Sequence, residues 1–199
     1  MKIVDFIFDF ASPNTYLVHK IFPEIEKRTN SKLNYIPCLL GGIFKQTNNQ
    51  APMNAFADVL GKNAYENLEL VRFIEEHKII TFKKNPYFPV NTLILMRGAI
   101  VAQNEGNLKN YIEAGFHHMW ESPKNMGDPE IYLKAMSNTG FDGLDLLEKM
   151  QSKEVKEKLI SNTNKAVKKG TFGMPTFFVG DKIFYGKERL AQIEKILSD

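Results

Sequence analysis

The chain reads as an α/β protein whose α/β domain is built from both of its ends, residues 1–42 and 157–199, with an all-helical domain, residues 43–156, inserted between them. Three observations predict this arrangement. The N-terminal segment runs strand, helix, strand; the centre drops the two-residue period for helical spacing; and strand character returns only at residues 175–185.

Ile3 to Phe10 places Val4, Phe6, Phe8 and Phe10 on one face and Ile3, Asp5, Ile7 and Asp9 on the other, the pattern of a strand. Ser12-Pro13 then reads as a helix N-cap with proline at the first helical position, where a missing N–H is no loss. Tyr16, Leu17, Ile21 and Ile25 form the apolar stripe of that helix, and Pro23 is expected to kink or restart it. A polar turn, Thr29 to Lys32, leads to a second strand, Leu33 to Leu40, ended by Gly41-Gly42. Strand, helix and strand in this order predict a right-handed βαβ unit.

Phe44 to Gln50 reads as polar loop. Helices are predicted over Ala64 to Glu76, with Leu68, Val71 and Ile74 as the apolar residues, and over Leu93 to Asn104, with Ile94, Ala99 and Val101. Asn107 to Trp120, Pro129 to Thr139 and Gly143 to Met150 add three more. Pro175 to Val179 and Ile183 to Tyr185 are strands joined by Gly180-Asp181-Lys182, a hairpin signal. A last amphipathic helix, Glu188 to Leu197, is expected to bury Leu190, Ile193 and Ile196. An inserted domain of this kind commonly forms one wall of a cleft.

Of 199 residues, 43% are hydrophobic, 12% aromatic and 25% charged, which excludes a disordered or fibrous chain. Twenty-six basic against 23 acidic side chains leave +3, with Lys interspersed among Glu, so no concentrated field for nucleic acid is present. No stretch reaches the roughly 18–20 apolar residues of a membrane-spanning helix, and Asp5 and Asp9 interrupt the apolar start, which is a strand and not a signal peptide. A lone cysteine, Cys38, allows no internal disulfide and points to a reducing, cytoplasmic setting.

Ligands of α/β proteins gather where strands run into helix N-termini, because unpaired N–H groups and the positive dipole end attract anions. Ser12 occupies that turn. Its hydroxyl can accept a backbone N–H as a cap and still donate its proton to a thiolate or carboxylate, although capping alone is the plainer reading of the motif by itself. Gly173-Met174-Pro175-Thr176 stands directly before the third strand, where proline is allowed. Cys38, on the second strand, reads as a buried inert thiol, and His19 and His77 as surface or satisfied residues. His117 and His118 are adjacent on a helix and point about 100° apart, so no metal site is read. Asp5 and Asp9 share a strand face without other partners in view. Trp120, Tyr87, Phe88 and Met119 fit either an apolar substrate wall or the core.

Phe8-Asp9-Phe10-Ala11-Ser12-Pro13-Asn14-Thr15-Tyr16-Leu17 and Gly170-Thr171-Phe172-Gly173-Met174-Pro175-Thr176-Phe177 are joined by further matching pieces. These are Leu39 to Lys45, Asn49 to Pro52, Lys62 with Tyr65, Phe88 to Thr92 with Arg97, and Phe184 to Leu190. In these residues and their order the chain resembles the 2-hydroxychromene-2-carboxylate isomerases and the kappa-class glutathione transferases, within the thioredoxin-like group that includes the DsbA-type oxidoreductases. The resemblance covers nearly the whole chain.

It implies a thioredoxin-like fold in which the Met174-Pro175 bond is cis, the Met174 backbone pairs with the cysteine part of glutathione, and Ser12 stabilises the glutathione thiolate. It also implies that Asn49 and Lys62 reach glutathione from the inserted domain, Lys62 at the glycine carboxylate, and that Glu188 receives the γ-glutamyl ammonium. The chain departs from the family at Gly186-Lys187-Glu188, which replaces the usual Gly-Ser/Gln-Asp, so glutathione is expected to be held more weakly or differently. A ligand with two carboxylates and one ammonium is nonetheless complemented by Lys62, a helix N-terminus and Glu188. Ser12-Pro13-Asn14-Thr15 stands where dithiol relatives need Cys-x-x-Cys, which excludes disulfide exchange at this site.

The implied activity is glutathione-dependent cis–trans isomerisation of 2-hydroxychromene-2-carboxylate or a related aromatic catabolite, by a homodimer. A kappa-type transferase or peroxidase would use the same residues; a thioredoxin-like module without catalysis is a third reading, for which Lys187 is the suggestive departure. The short tail after the last helix, ending at Asp199, is closer to the bacterial isomerase-like members.

Overall fold

β1 (Lys2–Phe8) and β2 (Ser31–Pro37) run parallel, paired from Lys2↔Ser31 to Phe8↔Pro37, and α1 (Pro13–Thr29) connects them. The structure is a computed structural model and describes residues 1–198; Asp199 lies outside the described residues. β3 (Thr176–Val179) lies antiparallel on the other side of β1, setting Asp5 opposite Phe178 and Ile7 opposite Thr176, and β4 (Lys182–Tyr185) completes a hairpin. The order β2-β1-β3-β4 thus unites the two ends of the chain in one sheet. Gly180, at φ +59°, takes the left-handed position that the hairpin turn requires.

Between β2 and β3 every regular element is a helix: α2 (Leu40–Thr47), α3 (Pro52–Ala55), α4 (Lys62–Glu76), α5 (Leu93–Asn104), α6 (Leu108–Trp120), α7 (Pro129–Ser137), α8 (Gly143–Lys149) and α9 (Lys153–Lys168). A short 3-10 turn, Lys187–Arg189, precedes α10 (Leu190–Ser198). The thioredoxin-like α/β class expected from sequence is the observed one. One apolar interior joins Phe6, Phe8, Phe22 and Phe177 to Leu95, Met96, Phe116 and Trp120, so the sheet and the middle helices share a core. The opposite sheet face packs Ile7, Cys38 and Phe178 on Ala166 of α9.

Several local expectations are corrected. β2 stops at Pro37, and Leu40 to Thr47, including Gly41-Gly42 and most of the expected loop, is helical. The cause is tertiary: the orphan N–H groups at the start of α2 find Asp9 Oδ2 (from Leu40, 2.8 Å) and Thr163 Oγ1 (from Leu39, 3.0 Å). Gly42 there serves close packing, since a Cβ would stand 3.2 Å from Thr163 Cγ2. β1 likewise ends at Phe8, so Asp9 is a turn residue and does not share a strand face with Asp5, which instead bonds Asn34 at 2.8 Å. Pro23 neither breaks nor restarts α1, which runs unbroken from Pro13 to Thr29 with Pro23 on its exposed side. In α4 no residue is buried, and Leu68 and Val71 are exposed. In α10 Leu197 is buried and Ile196 only half so.

α9 is the element that the sequence reading passed over. Its contact residues Val155, Leu159, Thr163 and Ala166 hold helical spacing, but they are sparse among Lys, Glu and Asn. Ser152 caps it, accepting the Val155 N–H at 3.3 Å.

Candidate active site

The polypeptide leaves β1 at Phe8, turns through Asp9 to Ala11, and enters α1 at Ser12. Asp9 fixes the turn. Its buried carboxylate accepts the N–H groups of Ala11 (2.9 Å) and Leu40 (2.8 Å) and so ties the end of β1 to the start of α2. Burial raises its pKa, and the two backbone N–H groups work against that rise.

Ser12 is only 6% exposed and has extended backbone geometry, as an N-cap should. Its Oγ accepts the Thr15 N–H at 3.3 Å and donates to the Met174 carbonyl oxygen at 3.3 Å. The hydroxyl proton thus points across to the strand start in the C-terminal half. The Met174-Pro175 bond is cis, as the resemblance implied, and a second cis bond lies at Phe88-Pro89. One residue beyond β4, Gly186 donates its N–H to Pro175 O at 3.0 Å, holding the hairpin against that strand start.

Ser12 and Met174 open onto a cleft of about 230 Å³. Phe44 and Pro52 line it, together with Phe82, Phe88 and Trp120, and with Tyr185 from β4. Trp120 is 1% exposed; its indole N–H donates to Phe10 O at 2.9 Å, and its ring lies 5.9 Å from that of Phe82, nearly parallel. Of the four residues named as a wall or as core, Trp120 and Phe88 line the cleft, while Met119 is fully buried and Tyr87 is exposed.

The remaining expected ligand residues have other partners in this structure. Asn49 donates from Nδ2 to Phe172 O at 2.8 Å, a bridge from the α2–α3 loop to the loop before Met174. Lys62, at the start of α4, pairs with Glu66 at 2.5 Å and lies over the Phe56 ring. Lys187 is 5% exposed, pairs with Glu188, and sets its ammonium 4.7 Å from the centre of the Phe73 ring. Both Lys187 and Glu188 line a second cavity of about 590 Å³, between α1, α4 and α10. Ser12, Met174 and Pro175 are therefore brought together, and the four polar residues stand outside the cleft.

Of the residues named as bland, Cys38 is fully buried, with its thiol pushed up by burial and by Asp9. His19 bonds Tyr35 at 2.8 Å and Glu113 at 3.2 Å. Among the described residues no group of three or more His, Cys, Asp or Glu side chains is arranged to hold a metal ion. Sequence reasoning missed Lys84 and Tyr185 as cleft residues. Tyr185 carried a signal, since it ends the strand that pairs with Thr176; Lys84 carried none beyond its place beside Phe82 and Phe88.

A serine-capped helix N-terminus facing a cis-proline strand start, on a sheet of order β2-β1-β3-β4, defines a thioredoxin-like protein whose site carries a hydroxyl where dithiol members carry a thiol. The chain belongs to the DSBA-like thioredoxin domain family, which matches residues 3–198. It is 26% identical over 199 residues to 2-hydroxychromene-2-carboxylate isomerase of Sphingobium xenophagum, covering 100% of this chain and 99% of that one. It is 24% identical to glutathione S-transferase kappa 1 of Rattus norvegicus, over 100% of this chain and 92% of the other. Among solved structures, a 2-hydroxychromene-2-carboxylate isomerase superposes with TM-score 0.83 at 23% identity, over 98% of this chain and 94% of that chain. A probable DsbA oxidoreductase from Streptomyces coelicolor gives 0.68 at 14% identity, covering 100% and 87%. The resemblance drawn from the motifs is thus matched by relatives along the full chain.

Proposed function

We propose that this protein is a glutathione-dependent isomerase of 2-hydroxychromene-2-carboxylate or a related aromatic catabolite. The observation that carries the reading is the placement of Ser12: a buried N-cap hydroxyl at the positive end of α1, lining an aromatic cleft beside Met174. The relatives of nearly equal length named for this activity support it.

The residues present fit the sulfur end of glutathione. Ser12 Oγ already has a donor to its lone pair in Thr15 N–H, so its proton is free to be redirected from Met174 O toward an anion in the cleft. The dipole of the 17-residue α1 adds positive potential at the same point, and together they favour an ionised sulfur near neutral pH. Bound as a thiolate, glutathione would supply the nucleophile whose reversible addition turns a double bond of the substrate into a rotatable single bond. Phe82 and Phe88, backed by the buried Trp120, offer an apolar aromatic wall suited to a flat conjugated ring. Asn49, Lys62, Lys187 and Glu188 remain the groups proposed for the polar ends of the tripeptide; each must exchange a present partner to serve, which reduces its net contribution. A reducing, cytoplasmic setting suits both free glutathione and the single buried thiol.

The test is isomerisation of 2-hydroxychromene-2-carboxylate with and without glutathione, in the wild type and in Ser12→Ala. Glutathione-dependent turnover that collapses in the variant supports the reading. Conjugation of aryl halides with no isomerisation moves it to a transferase; binding of glutathione without either reaction leaves a binding module.

A further inference from the structure

The Ser12 cleft is lined mostly by aromatic and aliphatic side chains, with Ser12, Asn14 and Asn67 as neutral polar residues and Lys84 as its one charged residue. Among the described residues, no carboxylate lies within ion-pair distance of it. The acid beside Trp120 in sequence, Glu121, is already engaged by Lys20 (3.0 Å), His117 (3.1 Å) and the Tyr16 hydroxyl (3.0 Å).

The backbone of Lys84 is fixed on both sides. Lys83 donates its N–H to Trp120 O at 2.6 Å. Asn85, 2% exposed, donates from Nδ2 to Met119 O (3.1 Å) and Lys124 O (3.0 Å). The ammonium at residue 84 is therefore carried on a segment anchored to the end of α6, next to Phe82 and Trp120, while its long side chain reaches the cleft rim.

We propose that Lys84 is a carboxylate-binding group that selects flat aromatic anions over neutral aromatics in this cleft. A ring held against Phe82, Phe88 and Trp120 can extend a carboxylate to the Lys84 ammonium while the opposite end of the molecule faces Ser12. The same chemistry is offered by two molecules, the aromatic substrate and glutathione itself. Lys84 belongs to the wall formed by Phe82, Phe88 and Trp120, whereas the sulfur end of glutathione is assigned to Ser12 and Met174, so the substrate is the partner. This assignment rests on the proposed reading of the site, and it gives a physical basis for preferring an anionic substrate to a neutral aryl halide.

Trp120 is the only tryptophan of the chain and lines the cleft, so its fluorescence reports occupancy without any turnover. The full chain is titrated with 4-nitrobenzoate and with its neutral counterpart 4-nitrobenzamide, in the absence of glutathione. The expected result is about tenfold tighter binding of the benzoate, a preference lost in Lys84→Gln and kept in Lys84→Arg. Equal or undetectable binding in the wild type, or a benzoate preference that persists in Lys84→Gln, overturns the proposal. Glutathione affinity, read by calorimetry, is expected to stay within about twofold in Lys84→Gln; a tenfold loss there assigns Lys84 to the tripeptide and also overturns it. Because no reaction is read, inactivity toward 2-hydroxychromene-2-carboxylate defeats the proposed function without touching this result.

Discussion

Two cavities flank the C-terminal strands, and they are built on opposite principles. The Ser12 cleft is largely apolar and small, about 230 Å³, and besides the capping hydroxyl its polar lining residues are Asn14, Asn67, Tyr185 and a single charged one, Lys84. The cavity at Lys187 is larger, about 590 Å³, and ionic: Glu69, Arg72, Glu194 and Lys187 face one another across it. One molecule, glutathione, was expected to reach from the first to the second. The first is preorganised by bonds of the main chain, which fix Ser12 whether or not a ligand is present. In the second, most charges already have partners among their neighbours, Arg28 with Glu194 at 2.6 Å, Arg72 with Glu69 at 2.5 Å and Lys187 with Glu188. A site made by the backbone keeps its shape in the absence of ligand, whereas one made by long charged side chains satisfies itself.

The sharpest way to break this contrast is at Ser12. Ser12→Ala is expected to lower glutathione-dependent turnover by about 100- to 1000-fold, as for loss of one preorganised donor. The lost cap costs about 1 kcal/mol of stability, read as a fall in Tm. Unchanged turnover would show the dipole of α1 sufficient without the hydroxyl.

Gly173→Ala tests the facing strand start. A Cβ there would meet the Tyr185 ring at 2.9 Å, forcing that ring to shift, with an expected loss of about 1–3 kcal/mol by denaturant melting and a raised KM for glutathione. A variant as stable and as active as the wild type would mean that Tyr185 moves freely and does not shape the cleft.

Lys187→Met tests the ionic cavity. The substitution removes one partner of the pair, but the Glu188 carboxylate is 56% exposed and stays solvated, so stability is expected to change by no more than about 1 kcal/mol. Because Lys187 must first give up Glu188 to serve a ligand, glutathione KM is expected to rise by no more than about threefold. A tenfold rise in KM would place Lys187 directly on the ligand and reverse the comparison.

The smallest expected effect concerns pH and lies outside both cavities. His118 donates from Nε2 to Ala135 O at 3.0 Å and accepts Lys124 Nζ on Nδ1 at 3.1 Å, an arrangement that fits the neutral ring. Burial, then Lys124 and His117, lower its pKa from 6.5 to about 4. Between those values the unfolded chain binds a proton that the folded one does not, so stability falls as pH drops from 6.5 toward 4. Tm measured across that range is expected to fall less steeply in His118→Gln, and identical slopes would refute the assignment.

The fold was legible where local pattern and tertiary demand coincide. Phe6 and Phe8 alternate with Asp5 and Ile7, Ser12-Pro13 starts a helix, and Gly180 turns a hairpin, each for reasons contained in a few neighbouring residues. It was hidden where distant groups supply what the local sequence lacks. Leu39 and Leu40 begin a helix because Thr163 and Asp9 accept their N–H groups, and neither partner is near in sequence. α4 shows the converse, with Leu68 and Val71 of its periodic stripe left exposed and only Ile74 of that stripe packed on the core. At the site, Ser12 and Met174-Pro175 were found from their motifs, whereas Lys84 depends on where a loop lies relative to Trp120. No period or spacing encodes that.

The bond from the Trp120 indole to Phe10 O joins the turn before Ser12 to the end of α6. Close by, Gly115 brings the backbone of α6 so near the Phe10 ring that a Cβ would stand at 2.5 Å. The turn that leads into Ser12 is therefore seated on α6 from two directions, by a hydrogen bond to its backbone and by direct contact with its Phe10 ring, so the hydroxyl and the indole that line the cleft belong to one rigid block.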